Sequence, residues 1–290
     1  MTWQIAVILR IIIGNILNPV FFKKVADSSL KNKQQFLIYT FCVIFSLTLL
    51  LYTKKFIFSP AIFLVVILGF FNSLAFSSHM RAIEISQSKS SIFMPISDIF
   101  ALFLGFIFLN ELQFLNPLLL LGILSTICAV ILLIIKNRKI EKQDSHKKLF
   151  VWITIYTLIW GLVAFFMRYF ALEGLSFTGF GISWYLSSWI GSLIIFKLIK
   201  KEGNNSKSRP TGLLNAFGIA LFIWTSLLLS YSAFERAPIM VIQPIFMASG
   251  MIFPVLIGLF IFKEIKQISK IEIIALLLGI AGGIIIGFSF

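Results

Sequence analysis

The stretch APIMVIQPIFMASGMIFPVLIGLFIF, residues 237–262, contains no Asp, Glu, Lys or Arg. At helical rise a segment of that length reaches about 39 Å, more than the roughly 30 Å hydrocarbon core that about 20 apolar residues cross. A helix on the surface of a soluble protein keeps a charged face; this one has none, so its solvent is lipid. Outward from it the chain repeats the pattern. Pro210 to Phe234, Phe56 to Ser78, Gly174 to Phe196, Gln34 to Thr53, Leu149 to Met167, Leu118 to Ile135 and Ile273 to Phe290 are also free of charge. Two further apolar lengths hold one ionisable residue each: Ile5 to Phe22 contains Arg10, and Ser90 to Leu109 contains Asp98. The expectation is an all-α membrane protein of ten transmembrane helices.

Composition agrees. The chain is 59% hydrophobic and 12% charged, about half the charge of a soluble domain, and its mean hydropathy is +1.00. The net charge of +14 does not imply nucleic acid, because the Lys and Arg residues lie between apolar spans and not on a polar face interleaved with aromatics. Cys42 and Cys128 fall inside spans and read as small hydrophobes, not as a disulfide framework or metal ligands. Arg10 interrupts the first span and no small-residue cleavage site follows, so that span is expected to stay on the mature protein. A nucleotide-binding loop, paired zinc ligands and a nucleophile beside a base are all missing from the sequence. The chain therefore reads as a non-enzyme with no cofactor and no metal.

Prolines mark the architecture. Pro60, Pro117, Pro210 and Pro238 stand at span starts, where a missing amide costs little. Pro19, Pro95, Pro244 and Pro254 fall within spans, where they free a carbonyl and bend the helix; Pro95, Pro244 and Pro254 are the expected hinges. In the last span Ala275, Gly279, Gly283 and Gly287 recur every four residues as a smooth packing stripe, whose partner is span five or a second copy of the chain, so the molecule is a monomer or a homodimer.

The longest polar stretches are Lys136 to Lys148 and Lys197 to Arg209, and the first divides the chain in two. The order Ala82-Ile83-Glu84, Met94-Pro95-Ile96, Asn110-Glu111-Leu112 before a final span returns as Ala233-Phe234-Glu235, Gln243-Pro244-Ile245, Lys263-Glu264-Ile265. More loosely, Ile13-Gly14 with Lys23 matches Trp160-Gly161 with Arg168. The reading is two repeats, residues 1–139 and 149–290, joined by a basic linker at 140–148. Five spans per repeat force the second copy to enter the membrane upside down.

On these features the chain resembles the EamA-type branch of the drug/metabolite transporter superfamily: Gly161 after Trp160, the alanine-centred turns before spans four and nine, the Pro within those spans and the Glu that closes each. The first span has Ile13 where the family usually has Trp. The resemblance implies alternating access around a central cavity lined by spans one to four and six to nine, with spans five and ten peripheral, both termini inside, and export as the direction.

Charge counting disagrees on orientation. The loops after spans one, three, five, seven and nine hold 20 of the 25 Lys and Arg residues, which places them in the cytoplasm and both termini outside. The location in either case is the plasma membrane, the inner membrane in a Gram-negative cell.

Arg10 and Asp98 are the sharpest site candidates, since an ionisable group at membrane depth is costly unless it faces a cavity or a partner. Asp98 reads as a proton-accepting or cation-binding carboxylate, and Arg10 as its partner or as a partner for a substrate carboxylate; the alternative is a permanent Arg10–Asp98 ion pair that only fixes packing. Asn15, Asn72 and Gln243, whose amides both donate and accept, join them as substrate-binding candidates, with Trp160 from an aromatic set that includes Trp184, Tyr185 and Trp189. Asn18, Ser73 and Ser77 belong to the same tier of polar groups inside spans, able to bind a polar solute or to bond neighbouring helices, with the serines read mostly as packing groups. His79 reads as a solvated interfacial histidine, and Glu111 and Glu264 as caps on the helices that follow them. The expected function is secondary transport of a small polar or amphipathic metabolite, such as an amino acid, with proton coupling through Asp98. The alternative is a non-transporting membrane scaffold or a lipid-acting multi-span protein. The expected partners are the small-molecule substrate and the bilayer.

Overall fold

The structure, a computed structural model, describes residues 1–26, 30–54, 59–138, 144–198, 210–261 and 270–289. Those residues form helices and turns, with no strand among them. The helices are α1 (Trp3–Ala26), α2 (Lys31–Thr53), α3 (Ala61–Ile85), α4 (Gln87–Phe93), α5 (Pro95–Phe108), α6 (Pro117–Arg138), α7 (Asp144–Leu172), α8 (Phe177–Leu198), α9 (Pro210–Phe234), α10 (Ile239–Phe260) and α11 (Lys270–Ser289). Seven are long and apolar enough to cross a membrane: α1, α2, α3, α7, α8, α9 and α10. Pro95–Phe108, Pro117–Leu132 and Ile273–Ile286 are shorter apolar stretches. Large apolar side chains such as Leu51, Phe63, Leu121 and Leu277 stand outward and uncovered, as in a protein whose solvent is hydrocarbon.

Local chemistry sets the boundaries. Pro60 and Pro238 are the N-cap residues of α3 and α10, and Pro117 and Pro210 open α6 and α9. Pro95 follows a turn at Met94 that separates α4 from α5. Pro244 and Pro254 lie inside α10. In α1 the residues Ile11–Leu17 are π-helical; Pro19 has no amide to return to the carbonyls one turn back, and such widened turns occur at functional sites. Gly174 closes α7 at φ +75, with Leu175 N donating to Phe170 O at 3.0 Å, the left-handed cap that glycine adopts without a Cβ penalty.

α6 and α11 pack most extensively on each other, while α8 sits on α2 and α3, α7 on α3 and α5, α9 on α1 and α2, and α10 on α4, α5 and α11. The partner of the α11 stripe is thus within the chain. A Cβ on Gly279 would come 2.9 Å from Met251 Cε, and one on Gly283 would rest 3.5 Å from Ala248 Cβ, so the stripe faces α10. The tightest contact is one residue away: a Cβ on Gly282 would stand 2.6 Å from Thr126 Cγ2 and 2.8 Å from the Gly122 carbonyl. What surrounds Gly287 lies outside the described residues.

Two cations are tied to carbonyls in matching places. Lys23 Nζ, at the end of α1, donates to Ile83 O at 2.6 Å and Glu84 O at 3.4 Å. Arg168 Nη1, near the end of α7, donates to Phe234 O.

Candidate functional site

The helices α1 to α5 and α7 to α10 enclose a cavity of about 180 Å³, and among the described residues none of those lining it comes from α6 or α11. Arg10, Asn15, Asn72, Asp98, Trp160 and Gln243, six residues singled out from sequence, all line it, as do Pro95 and Pro254. Pro244 is not among the lining residues. A site for a drug-sized ligand occupies roughly 300–1,000 Å³, so this one suits a small solute.

Its two charges are kept from each other. Arg10 Nη1 donates to Asn15 Oδ1 at 2.7 Å, and the guanidinium lies over the Phe246 ring, 4.1 Å from its centroid. Asn15 Nδ2 in turn donates to Ser249 Oγ at 2.8 Å. Asp98 Oδ1 accepts from Gln243 Nε2 at 2.6 Å. The ion pairs among the described residues join Lys31 to Glu84, Arg168 to Glu111 and Arg236 to Glu235; Arg10 and Asp98 form no direct pair, and each is bonded to an amide instead. Gly14 lets α1 approach α9 here, because a Cβ would stand 2.6 Å from Ser226 Oγ.

Asn72 is 2% exposed and gives its Nδ2 to Tyr39 Oη at 2.9 Å and to Ser188 Oγ at 3.0 Å. The wall continues in aromatics: Trp160 lies 6.1 Å from Tyr156 and 6.2 Å, edge-on, from Trp184. Trp184 and Tyr185 are 1% and 0% exposed, which removes them from any interfacial belt. Trp189 is half-buried, with its Nε1 donating to Thr40 Oγ1 at 3.0 Å.

Two expectations need correction. His79 is not solvated at an interface: it lines the cavity, stacks on Tyr156 with ring centroids 4.3 Å apart, and has Phe22 at 5.0 Å. In sequence it stands between Ser78 and Met80, two residues before Arg81, and the aromatic slot that holds it is built from α1 and α7, which sequence order does not reveal. Glu111 does not cap the helix that follows it. Asn116 does that, accepting from Leu119 N at 2.7 Å. Glu111 Oε1 instead accepts from Arg168 Nε at 2.8 Å, and Oε2 accepts from Met240 N, in the first turn of α10, at 3.3 Å. The carboxylate thus meets the positive end of a helix dipole, but a helix far along the chain. The repeat alignment, which sets Arg168 opposite Lys23, was the one signal that marked Arg168 as more than a loop charge. Glu264 lies outside the described residues. No group of three or more metal-ligating side chains occurs among the described residues.

No sequence family matches this chain, and no curated protein does. Chains of solved structures do match its fold, 18 in all. One, known only as "Crystal structure of protein", superposes with a TM-score of 0.71 at 12% identity, over 99% of this chain and 97% of that one. At that identity the likeness is one of fold.

Proposed function

We propose that this chain is a secondary transporter of the EamA type, with ten membrane helices arranged as two inverted five-helix repeats that rock about the central cavity. The observation that carries the proposal is the pair Arg10 and Asp98: opposite charges that line one small cavity and are each held by an amide instead of by the other. Charge at membrane depth is retained where it meets solute or ion, and an unpaired plus and minus in one cavity complement a small zwitterion such as an amino acid. Asp98 is the proposed proton-coupling group, and outward export the proposed direction.

The inverted repeat draws support from the packing. With α4 and α5 taken as one span, α2–α8, α6–α11 and α5–α10 each join corresponding spans of the two halves. Four further contacts come as two exchanged pairs, α3–α7 with α9–α1 and α3–α8 with α9–α2. Lys23 on Ile83 O and Arg168 on Phe234 O are equivalent in the sequence alignment of the halves. By the distribution of Lys and Arg, we place the linker at 140–148 in the cytoplasm and both termini outside.

The test is a metabolite screen by thermal shift on purified protein, repeated with Asp98→Asn and Arg10→Ala. Stabilisation by a small zwitterion that either variant loses supports the reading. No stabilisation by any solute moves the weight to a membrane scaffold.

A further inference from the structure

The hydrogen-bond network around the cavity fixes which way its amides point. Ser188 Oγ donates to Gly69 O at 2.8 Å, which uses its one hydrogen, so toward Asn72 it can only accept. The Asn72 group facing Ser188 and Tyr39 is therefore the NH2, and both its hydrogens are spent there. Gln243 gives one hydrogen of its NH2 to the Asp98 carboxylate, which has no hydrogen to give when ionised, so the amide oxygen points the other way. Acceptors remain: Asn72 Oδ1 and Gln243 Oε1 are buried without a partner, as are Asn18 Oδ1 and the donor Arg10 Nε of the same cavity, and Asp98 is bonded to its amide neighbour with no cation in direct contact. Buried carbonyls left unpaired call for an explanation. Here three acceptors, on α3, α5 and α10, belong to residues that line a single cavity.

We infer that this acceptor set is a subsite for a protonated amine that still carries its hydrogens, a primary ammonium, and that Gln243 and Asn72 are the residues that discriminate against N-methylated cations. The inference rests on the cavity being a solute site, as proposed above. Its strength is that the aromatic wall alone argues the other way. Tyr156, Trp160 and Trp184 form a surface of the kind that binds quaternary ammonium by cation–π attraction, whereas a quaternary nitrogen has no N–H and would leave every one of the acceptors unpaired. The other cation, Arg10, is engaged by Asn15 and Phe246, which leaves Asp98 as the carboxylate that meets the ammonium.

The test is binding of four probes to the purified full chain by isothermal titration: phenethylamine, its N,N,N-trimethyl derivative, α,α-dimethylphenethylamine, which adds bulk beside an intact ammonium, and phenylacetate. The expected result is that both primary amines bind at least tenfold more tightly than the trimethyl compound, and that Gln243→Met, checked for folding by its unfolding temperature, reduces that preference to less than threefold. Equal or tighter binding of the trimethyl compound overturns the inference while leaving the solute site standing, as does binding of phenylacetate alone. Discrimination against α,α-dimethylphenethylamine as strong as against the trimethyl compound makes bulk the cause and also overturns it. Failure of all four to bind folded protein overturns the solute site and the inference together.

Discussion

Removing the Glu111 carboxylate is the sharpest test of how the two halves are held together. Its side chain is 2% exposed and that of its partner Arg168 8%, so neither charge is rescued by water when the other is deleted. Glu111→Ala strips the ion pair from a guanidinium left with the Phe234 carbonyl, and it also removes the acceptor at Met240 N. Breaking a buried pair from one side costs about 3–5 kcal/mol, and the lost helix cap, at a long 3.3 Å, contributes under ~1 kcal/mol. Arg168→Met falls in the same range, about 3–5 kcal/mol. The double variant Glu111→Ala with Arg168→Met leaves no charge unpaired and costs less than the sum, with a coupling of about 2–3 kcal/mol. Equilibrium unfolding in mixed micelles measures all three. Single variants that each cost less than ~1 kcal/mol, or a double variant whose cost is additive, would refute a buried pair and restore the reading of Glu111 as a local cap.

Gly282→Ala places a methyl against the Gly122 carbonyl and Thr126 and should cost about 1–3 kcal/mol; Gly283→Ala meets only an ordinary contact at Ala248 and should be near neutral, and the reverse order in thermal unfolding would mean the α6–α11 face is wrongly drawn. Asp98→Asn removes the carboxylate that meets the ammonium, so it should weaken ligand binding and abolish the pH dependence of whatever transport remains; pH dependence left intact removes Asp98 from proton coupling. A cysteine placed beside Met1, with Cys42 and Cys128 replaced by alanine, should react with an impermeant thiol reagent on intact cells. Labelling only after lysis would reverse the orientation.

Charge-free length made the helices legible, because a continuous apolar segment of about 20 residues crosses lipid as a helix, which satisfies its own backbone polar groups, whereas a barrel strand is about half as long and alternates. It could not show that the chain breaks into α4 and α5 at Met94, since a proline such as Pro95 can bend one helix as readily as it separates two. Arg10, Asn15, Asn72, Asp98 and Gln243 of the cavity were also legible, for a reason of solvent: in a chain this apolar, an amide or a charge at mid-span has few acceptable places; His79 and Gln87 line it too and were not, because they stand near the ends of their helices. Partners were not legible. That Arg10 meets Asn15 is local, five residues apart on a π-helical turn, but Asp98 with Gln243 and Glu111 with Arg168 depend on which helices pack side by side. Identical residue types can also face opposite solvents: Trp184 is core, whereas hydropathy alone allowed a lipid belt. The small-residue stripe of α11 was visible, yet the closest approach falls at Gly282, off the stripe, because α6 offers its own Gly122 there.

Access to the cavity tests alternating access most directly and requires no knowledge of the substrate. With Cys42 and Cys128 replaced by alanine, Ala164→Cys puts one thiol on a buried residue of the cavity wall. The expected result is labelling by an impermeant thiol reagent from either side of the membrane in separate experiments, in a protein that conducts no ion current in planar bilayers. Labelling from neither side, or labelling accompanied by a continuous conductance, would contradict it.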